Sequence, residues 1–475
     1  MKRNMKKLTI ALSFPLLCSG LIACSTGVKK TQTSSDGYVS KSAGSFTLRP
    51  FKEVTLENGL KVIFIRDNTL PRVSMTMLLR TGSMQEPAEQ PGLNAMTAYL
   101  LEQGTQTRNA SVIADEFGDM GSTLDITPGA DVTTIYADSL SNSAEDLLKL
   151  LSDITMNPAF TDSEIHRMRS QILAGLQKKI DNPSAYADEK MDAFVFGNHP
   201  YGRDVNGTEE GIKSVKKQDI IRHYLTFYRP NNATLAVVGM YNDDFENKVK
   251  EAYGKWTKRS IPNVTVSAAP ASDKLQVRLY VKKGLQQTQI RMAQVSIDRL
   301  DPDYLTLRLG NEVLGGGFSS RLNQKVRDDL GLTYSISSYF DVRKDRGDFE
   351  ISTFSKNESA GKAFDESLNV VHEFLDKGAT DKEVDAGKNQ MIGQFPRAIE
   401  TSDRLAYNLL VLDFYGISFD YLTDFNKNIA DIKTEALNEA FRRHLDPSKF
   451  KAVIYGNESI IPQFQKYSPE IIKLH

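Results

Sequence analysis

Apolar and polar positions alternate through "FKEVTLENGLKVIF", with Val54 and Leu56 before Glu57-Asn58-Gly59 and Leu60, Val62 and Phe64 after it. A period of two broken by a turn tripeptide predicts a β-hairpin. "RVSMTMLLRTGS" from Arg72 and "DVTTIYADSL" from Asp131 predict further strands. Between and after them the period lengthens to that of a helix, in "GLNAMTAYLLEQGT" (92–105), "ASVIADEFGDMG" from Ala110 and "SAEDLLKLLSDITMN" from Ser143. "TDSEIHRMRSQILAGLQKKI" opens with Thr161 or Asp162 as a cap and Glu164 close behind. "KKQDIIRHYLTFYRPNNATLAVVG" from Lys216 reads as a helix, a Pro-Asn-Asn turn and a buried strand.

That last pattern returns in "KTEALNEAFRRHLDPSKFKAVIYG", 217 residues later, and "TDKEVDAGKNQM" at Thr380 repeats the Thr161 segment at an offset of 219. Two independent matches at nearly one offset indicate an internal duplication, too long for a solenoid unit and suited to tandem domains. The Pro/Ser/Ala-rich stretch "RSIPNVTVSAAPASDK" separates the copies. The domains are therefore expected at 46–258 and 275–475, joined by a linker at 259–274. Each copy mixes hairpins with long helices. The expected class is α+β: two tandem homologous domains, each an antiparallel sheet with helices packed on one face.

The first residues set the compartment. Lys2, Arg3, Lys6 and Lys7 precede an apolar run that ends Leu21-Ile22-Ala23-Cys24. This is a secretory signal over 1–23, and its end resembles a bacterial lipobox, which makes Cys24 the lipidation site. An ordinary signal cleaved near Ala23 is the alternative. Ser25 after the cysteine favours the outer membrane, facing the periplasm, and the Ser/Thr-rich stretch 24–45 reads as a flexible tether. Loss of Cys18 with the signal leaves no cysteine for a disulfide or a zinc site. The formal net charge of −1 becomes −5 after cleavage, with no basic excess to suggest nucleic acid.

"LENGLKVIF", "GLNAMTAYLLEQGT", "GNHPYGRDVNGTEEGIKSVKKQDIIRHYLTFYRPNNATLAVVG" and "EVLGGGFSSRLNQKVRDDLGLTYSISS", in this order and spacing, resemble the pitrilysin/insulinase family of zinc metallopeptidases, which includes the mitochondrial processing peptidases. Active members carry Gly-Leu-x-His-x-x-Glu-His, an inverted zincin motif. Histidines four apart on a helix ligate one Zn²⁺, and the Glu is the general base on the metal-bound water. Aligned on that frame, Ala95 and Tyr99 stand at the histidine positions and Ala98 at the glutamate. The third ligand, a Glu on a later helix, falls at Gly175. Ala and Gly have no donor atom, and a phenol titrating near 10 is a poor ligand. No other histidine lies at metal-binding spacing beside a Glu: His166 reads as a surface residue, and His199 in "NHPYG" matches a loop signature without a zinc role.

Active two-domain relatives form a clamshell in which the second half grips peptide with an Arg and a Tyr; the resemblance places these at Arg327 and Tyr334 of "RDDLGLTY". The competing reading makes Tyr334, alternating with Leu332 and Ile336, a core residue and Arg327 a solvated one. Gly315, Gly316 and Gly317 are candidate substrate contacts or a tight helix start with Ser319 as cap. In several members one chain carries zinc and another does not. The resemblance implies that this chain is of the second kind. It is expected to bind no cofactor and to complete the peptide chamber of a zinc-bearing homologous partner, anchored by lipid. The alternative is a stand-alone peptide-binding or scaffold lipoprotein; an active peptidase with unrecognised ligands is a third and weaker reading.

Overall fold

The computed structural model describes residues 47–474, which belong to one compact unit. The signal segment, Cys24 and the whole of the tether lie outside the described residues. Among the described residues twelve strands form two sheets. The first contains β1 (Lys52–Thr55), β2 (Lys61–Arg66), β3 (Arg72–Leu79), β4 (Thr123–Pro128), β5 (Thr133–Leu140) and β6 (Ala233–Gly239). The second contains β7 (Gln276–Lys282), β8 (Gln287–Val295), β9 (Ile336–Asp341), β10 (Asp348–Lys356), β11 (Lys451–Gly456) and β12 (Glu470–Leu474). Their orders are β1-β2-β6-β3-β5-β4 and β12-β7-β11-β8-β10-β9. Five positions correspond one to one; only the edge strand differs, supplied by the start of the first half and the end of the second.

The sheets are mixed rather than wholly antiparallel. β2 pairs parallel with β6, and β7 pairs parallel with both β11 and β12. A parallel pair needs a long crossover, and β6 reaches its place between β2 and β3 only after the helices of its half have intervened. The hydrophobic alternation of the hairpin shows which face a residue takes but not the direction of a strand that returns from far along the chain.

Seven helices carry the argument: α1 (Leu93–Leu100), α2 (Asp162–Lys179), α3 (Pro183–Phe196), α4 (Lys217–Phe227), α5 (Asp381–Ala398), α6 (Ser402–Tyr415) and α7 (Thr434–His444). α2 and α5 have 18 residues each and α3 and α6 have 14, in register with the sequence offset. Thr161 caps α2 and Thr380 caps α5, each hydroxyl accepting from the amide of a Glu three residues on. Such caps contribute about 1 kcal/mol each.

The two halves interlock by exchanging one helix. In the first sheet Val62, Phe64, Leu235 and Val237 face the helices of their own half. Ile63, Ile65, Ala236 and Val238 face the other way and pack with Leu405, Leu409 and Leu412 of α6, a helix of the second half. The second sheet mirrors this: Ile290, Met292, Ala452 and Ile454 meet their own helices. Ala293, Val453 and Tyr455 pack on Tyr186, Met191 and Phe194 of α3, from the first half. Each half thus keeps its own helices on one face and receives the other face's cover from its twin. At roughly 1.5–3 kcal/mol for each large apolar side chain removed from water, neither sheet is covered without the exchange.

Candidate functional site

The scaffold around α1 is built largely from buried polar groups. Gly92 precedes the helix at φ +97°, where any Cβ would also press on Asn206 O at 2.7 Å. The Glu86 carboxylate accepts from the amides of Gly92 (2.9 Å) and Asn94 (2.7 Å), the free donors of the helix start. Burial pushes its carboxyl up to about 8 despite these two bonds. Behind it the Asn94 amide donates to Thr133 Oγ1 at 3.1 Å, and its Oδ1 lies 3.1 Å from His223 Nε2 on α4. Burial depresses His223 to about 3, so this imidazole is neutral and structural.

On this scaffold the four degenerate positions separate into two pairs. Ala95 and Ala98 are fully enclosed, the latter in the core of the first half. Tyr99 and Gly175 line one groove of about 400 Å³ between α1 and α2. Met168, Ile172 and Leu176, four apart along α2, form its apolar wall, with Gln171, Lys179 and Asn206 around it. The Tyr99 hydroxyl donates to Asn206 Oδ1 at 3.1 Å. Burial first, then the charges of Asp204, Asp125 and Glu102, push its phenol above the ordinary value, so the phenolate that a metal would need is still scarcer. These residues do not fit a zinc ion. No step of a hydrolytic mechanism can be routed through them.

Gly175 lies in the interior of α2, and a Cβ added there would meet nothing within 4 Å. The glycine costs the helix about 1 kcal/mol relative to Ala, and no close approach requires it. Gln394 stands at the equivalent turn of α5.

In the second half, the segment before β9 ends in a π-helical turn (Asn323–Asp329), and Gly331 takes the left-handed conformation at φ +59°. The strand starts at Ile336, two residues beyond Tyr334. Tyr334 is 81% exposed, so its core reading is overturned. The Arg327 guanidinium lies over the ring of Phe318, 4.8 Å from its centroid, and Phe318 is itself 74% exposed. Sequence reasoning missed Phe318, because an aromatic residue inside a glycine-rich loop reads as part of the helix start. Ser319 is exposed, and it is Ser320 that meets the start of that segment, its carbonyl accepting from Gln324 N (2.9 Å) and its hydroxyl from Asn323 Nδ2 (3.1 Å). The three glycines answer to packing: a Cβ at Gly315 would meet Ser338 Oγ at 2.3 Å, at Gly316 Asn311 Nδ2 at 2.7 Å, and at Gly317 Glu312 O at 2.7 Å.

His166 is exposed on α2, as expected. His199 is buried, with Nδ1 accepting from Tyr201 N at 3.2 Å. Among the described residues one set with metal-like spacing occurs, Asp301, Asp303 and His444. Asp303 Oδ2 already accepts from His444 Nε2 (2.8 Å) and Arg443 Nη2 (2.7 Å), which pins α7 to the start of the 304–311 helix.

Two duplicated α+β halves, an inverted-zincin frame around α1 and an Arg/Tyr element in the second half define a protein of the two-domain metallopeptidase fold. Residues 61–209 match the family profile of insulinase (peptidase family M16), and 214–391 match the peptidase M16 inactive domain. The chain belongs to the insulinase (M16) peptidase family, and its match to that family's inactive domain begins just before α4 of the first half and ends within α5 of the second. It is 25% identical over 355 residues to an uncharacterized zinc protease YmxG of Bacillus subtilis, covering 74% of this chain and 85% of that one. It is 24% identical over 410 residues to a protein of Helicobacter pylori named non-peptidase homolog YmxG, covering 84% and 92%. The crystal structure of a peptidase M16 inactive domain from Pseudomonas fluorescens superposes with a TM-score of 0.79 at 26% identity, covering 86% of this chain and 98% of that one. Relatives at nearly equal distance bear opposite names, so the residues at the site carry the argument about catalysis.

Proposed function

We propose that this chain is a non-catalytic, peptide-holding subunit of a two-chain M16 peptidase, completing the chamber of a zinc-bearing homologous partner. The observation that carries the reading is the contrast between two sites. Ala95 and Ala98 are enclosed and without donors, whereas Arg327, Phe318 and Tyr334 stand at the surface of the inactive domain. An Arg fork donates to peptide carbonyls and a Tyr hydroxyl donates beside it. The partner supplies Zn²⁺, water and general base; this chain supplies chamber wall, peptide contacts and, through lipidated Cys24, an anchor on the periplasmic side of the outer membrane. The name of the Helicobacter pylori relative supports the non-catalytic part.

The test is to purify the mature chain alone and with a zinc-bearing homologue from the same cell, measuring bound zinc, co-purification and peptide cleavage. The expected result is cleavage only by the pair, weakened by Arg327→Ala and by Tyr334→Phe. Stoichiometric zinc in the lone chain overturns the reading, and palmitate labelling that survives Cys24→Ser overturns the anchor. The second reading, a stand-alone peptide-binding lipoprotein, is favoured by the apolar groove at Tyr99 and Gly175; cleavage by the pair decides between the two.

A further inference from the structure

The duplication allows the last turns of the two exchanged helices to be compared. α3 and α6 are each 14 residues long, and Phe194 is the twelfth residue of one where Asp413 is the twelfth of the other. The strands beneath them correspond as well. Thr234 on β6 pairs with Lys61 and Leu78, and Lys451 on β11 pairs with Gln276 and Ala293 in the same arrangement. In the first half a carboxylate fills this place: Asp413 accepts from Lys61 Nζ at 2.5 Å and from Thr234 Oγ1 at 2.6 Å. In the second half the helix brings a phenyl ring instead, and the strand brings a cation.

Lys451 is 8% exposed and has no ion-pair partner among the described residues. Its ammonium donates to the carbonyls of Phe194 (2.8 Å) and Val195 (3.2 Å) in the last turn of α3, which leaves one of its three N–H groups free. Burial, then the charge of Arg278, hold it below the ordinary lysine value. A cavity of about 150 Å³ opens beside it, walled by Val195, Val295 and residues 269–272 of the linker. Arg346, in the turn between β9 and β10, lines it too, as does Lys449. The Arg346 Nε donates to Ser296 O at 2.6 Å, and its Nη groups have no partner among the described residues. Lys449 is already paired with Asp446 at 3.0 Å. Among the described residues no carboxylate lines the cavity, so Lys451 and Arg346 border it as two uncompensated charges.

We propose that this cavity binds a small doubly charged oxyanion, phosphate or sulfate, which takes in the second half the place that the Asp413 carboxylate takes in the first. Two positive charges select two negative ones. The planar fork of Arg346 matches the oxygens of such an ion, and Lys451 adds a point charge. Bound there, the ion joins the end of α3 and the linker to the second sheet, so a solute completes the seam between the halves. The inference is independent of the peptide-holding reading.

The whole mature chain is titrated calorimetrically with sodium phosphate, sodium sulfate and sodium acetate at fixed ionic strength, with sodium chloride as the reference. Saturable one-to-one binding of phosphate and sulfate is expected, and acetate, with half the charge, should bind about tenfold more weakly. Arg346→Gln and Lys451→Met should each weaken phosphate by about tenfold or more, the value of one hydrogen bond to a charged group. Lys283→Gln, an exposed cation beyond the far end of β7, should leave it unchanged. Arg346 is exposed, so its variant decides the matter even if Lys451→Met does not fold. The unfolding midpoint of the unaltered chain should rise by about 3 °C at a hundredfold excess of phosphate over Kd, and that of Arg346→Gln should not. Phosphate binding that Arg346→Gln leaves intact, or heats no different from those of chloride, overturns the proposal. Acetate binding as tightly as phosphate overturns the doubly charged class.

Discussion

The two exchanged helices are equivalent in the duplication, yet their charges are arranged in opposite ways. α6 lies on the first sheet and brings Asp413, whose side chain is 6% exposed, between Lys61 Nζ (2.5 Å), Thr234 Oγ1 (2.6 Å) and Arg80. Burial would raise this carboxyl, but the bonds from Lys61 and Thr234 and the Arg80 charge outweigh it and hold it below its ordinary value. α3 lies on the second sheet and brings Asp188 and Asp192 toward Asp341, Asp348 and Glu350, five carboxylates against Arg291 and Arg343. Burial pushes Glu350 up to about 7, opposed by the Tyr339 hydroxyl and Arg291. Burial, reinforced by Glu350, carries Asp348 well above its ordinary range, and its Oδ1 has no hydrogen-bond partner. One topological device is thus closed by a carboxylate with matching cations on one side, and on the other by ion pairs set in an excess of carboxylates, two of which burial pushes upward. Duplication conserved the packing, not the charge that locks it.

The largest expected effect breaks the first lock. Asp413→Ala leaves Arg80 without its carboxylate and Lys61 with Glu53 alone, 3.7 Å away. Removing one partner of a buried pair costs about 3–5 kcal/mol; both cations keep part of their solvent contact, so about 2–3 kcal/mol is expected. Chemical denaturation at pH 7 reads it, and a change within 0.5 kcal/mol, the usual scatter of surface substitutions, would mean that Asp413 does not lock α6.

The second lock should respond in the opposite sense to pH. Glu350 is raised in the folded state, so its contribution is complete below the ordinary carboxylate value and is lost as pH rises through about 7. Glu350→Gln removes that titration. It should be close to neutral at pH 5 and stabilising by roughly 1–3 kcal/mol at pH 8. Denaturation midpoints at the two pH values give the answer; equal effects at both would show that Glu350 carries no excess proton.

How much of this was legible follows from the kind of signal each feature leaves. The duplication was visible because caps and helix lengths are local: Thr161 and Thr380 repeat with their glutamates, and α4 and α7 repeat with the strands that follow them. The helix exchange was invisible because periodicity reports that a face is buried, not which sheet buries it. α3 is also apolar on several sides, with Tyr186, Met191, Phe194 and Phe196 all buried, so no single stripe announces it. β4 escaped notice because Thr123 and Asp125 face solvent at an edge. At the site, the frame around α1 and the Arg/Tyr spacing could be placed by resemblance to a family. The groove could not, because it depends on α2 packing beside α1.

The next comparison sets α2 against α5. Gly175→Ala should stabilise the chain by about 1 kcal/mol, since the new methyl meets no neighbour and the helix gains propensity. Gln394→Ala, where the helix already carries a side chain, should change stability by no more than a few tenths of that. A scan of thermal midpoints distinguishes them. A loss of stability in Gly175→Ala would mean that the backbone of α2 needs glycine there, against the open space around it.

The smallest expected effect on stability is at the second half's surface, where it is also the most informative. Arg327 stacks on an exposed Phe318, and Tyr334 extends into solvent; among the described residues no hydrogen bond depends on either aromatic side chain. Phe318→Ala and Tyr334→Ser should each therefore shift stability by less than about 0.5 kcal/mol. A cation–π contact at an exposed position is worth about 0.5–1 kcal/mol at most, so its loss frees Arg327 without unfolding anything. Two large aromatic residues held in water with so little structural return are expected where a ligand covers them. Peptide affinity should then fall in both variants while the unfolding midpoint stays in place. If stability falls with affinity, these rings belong to the fold, and the contrast between an enclosed first site and an open second one loses its functional meaning.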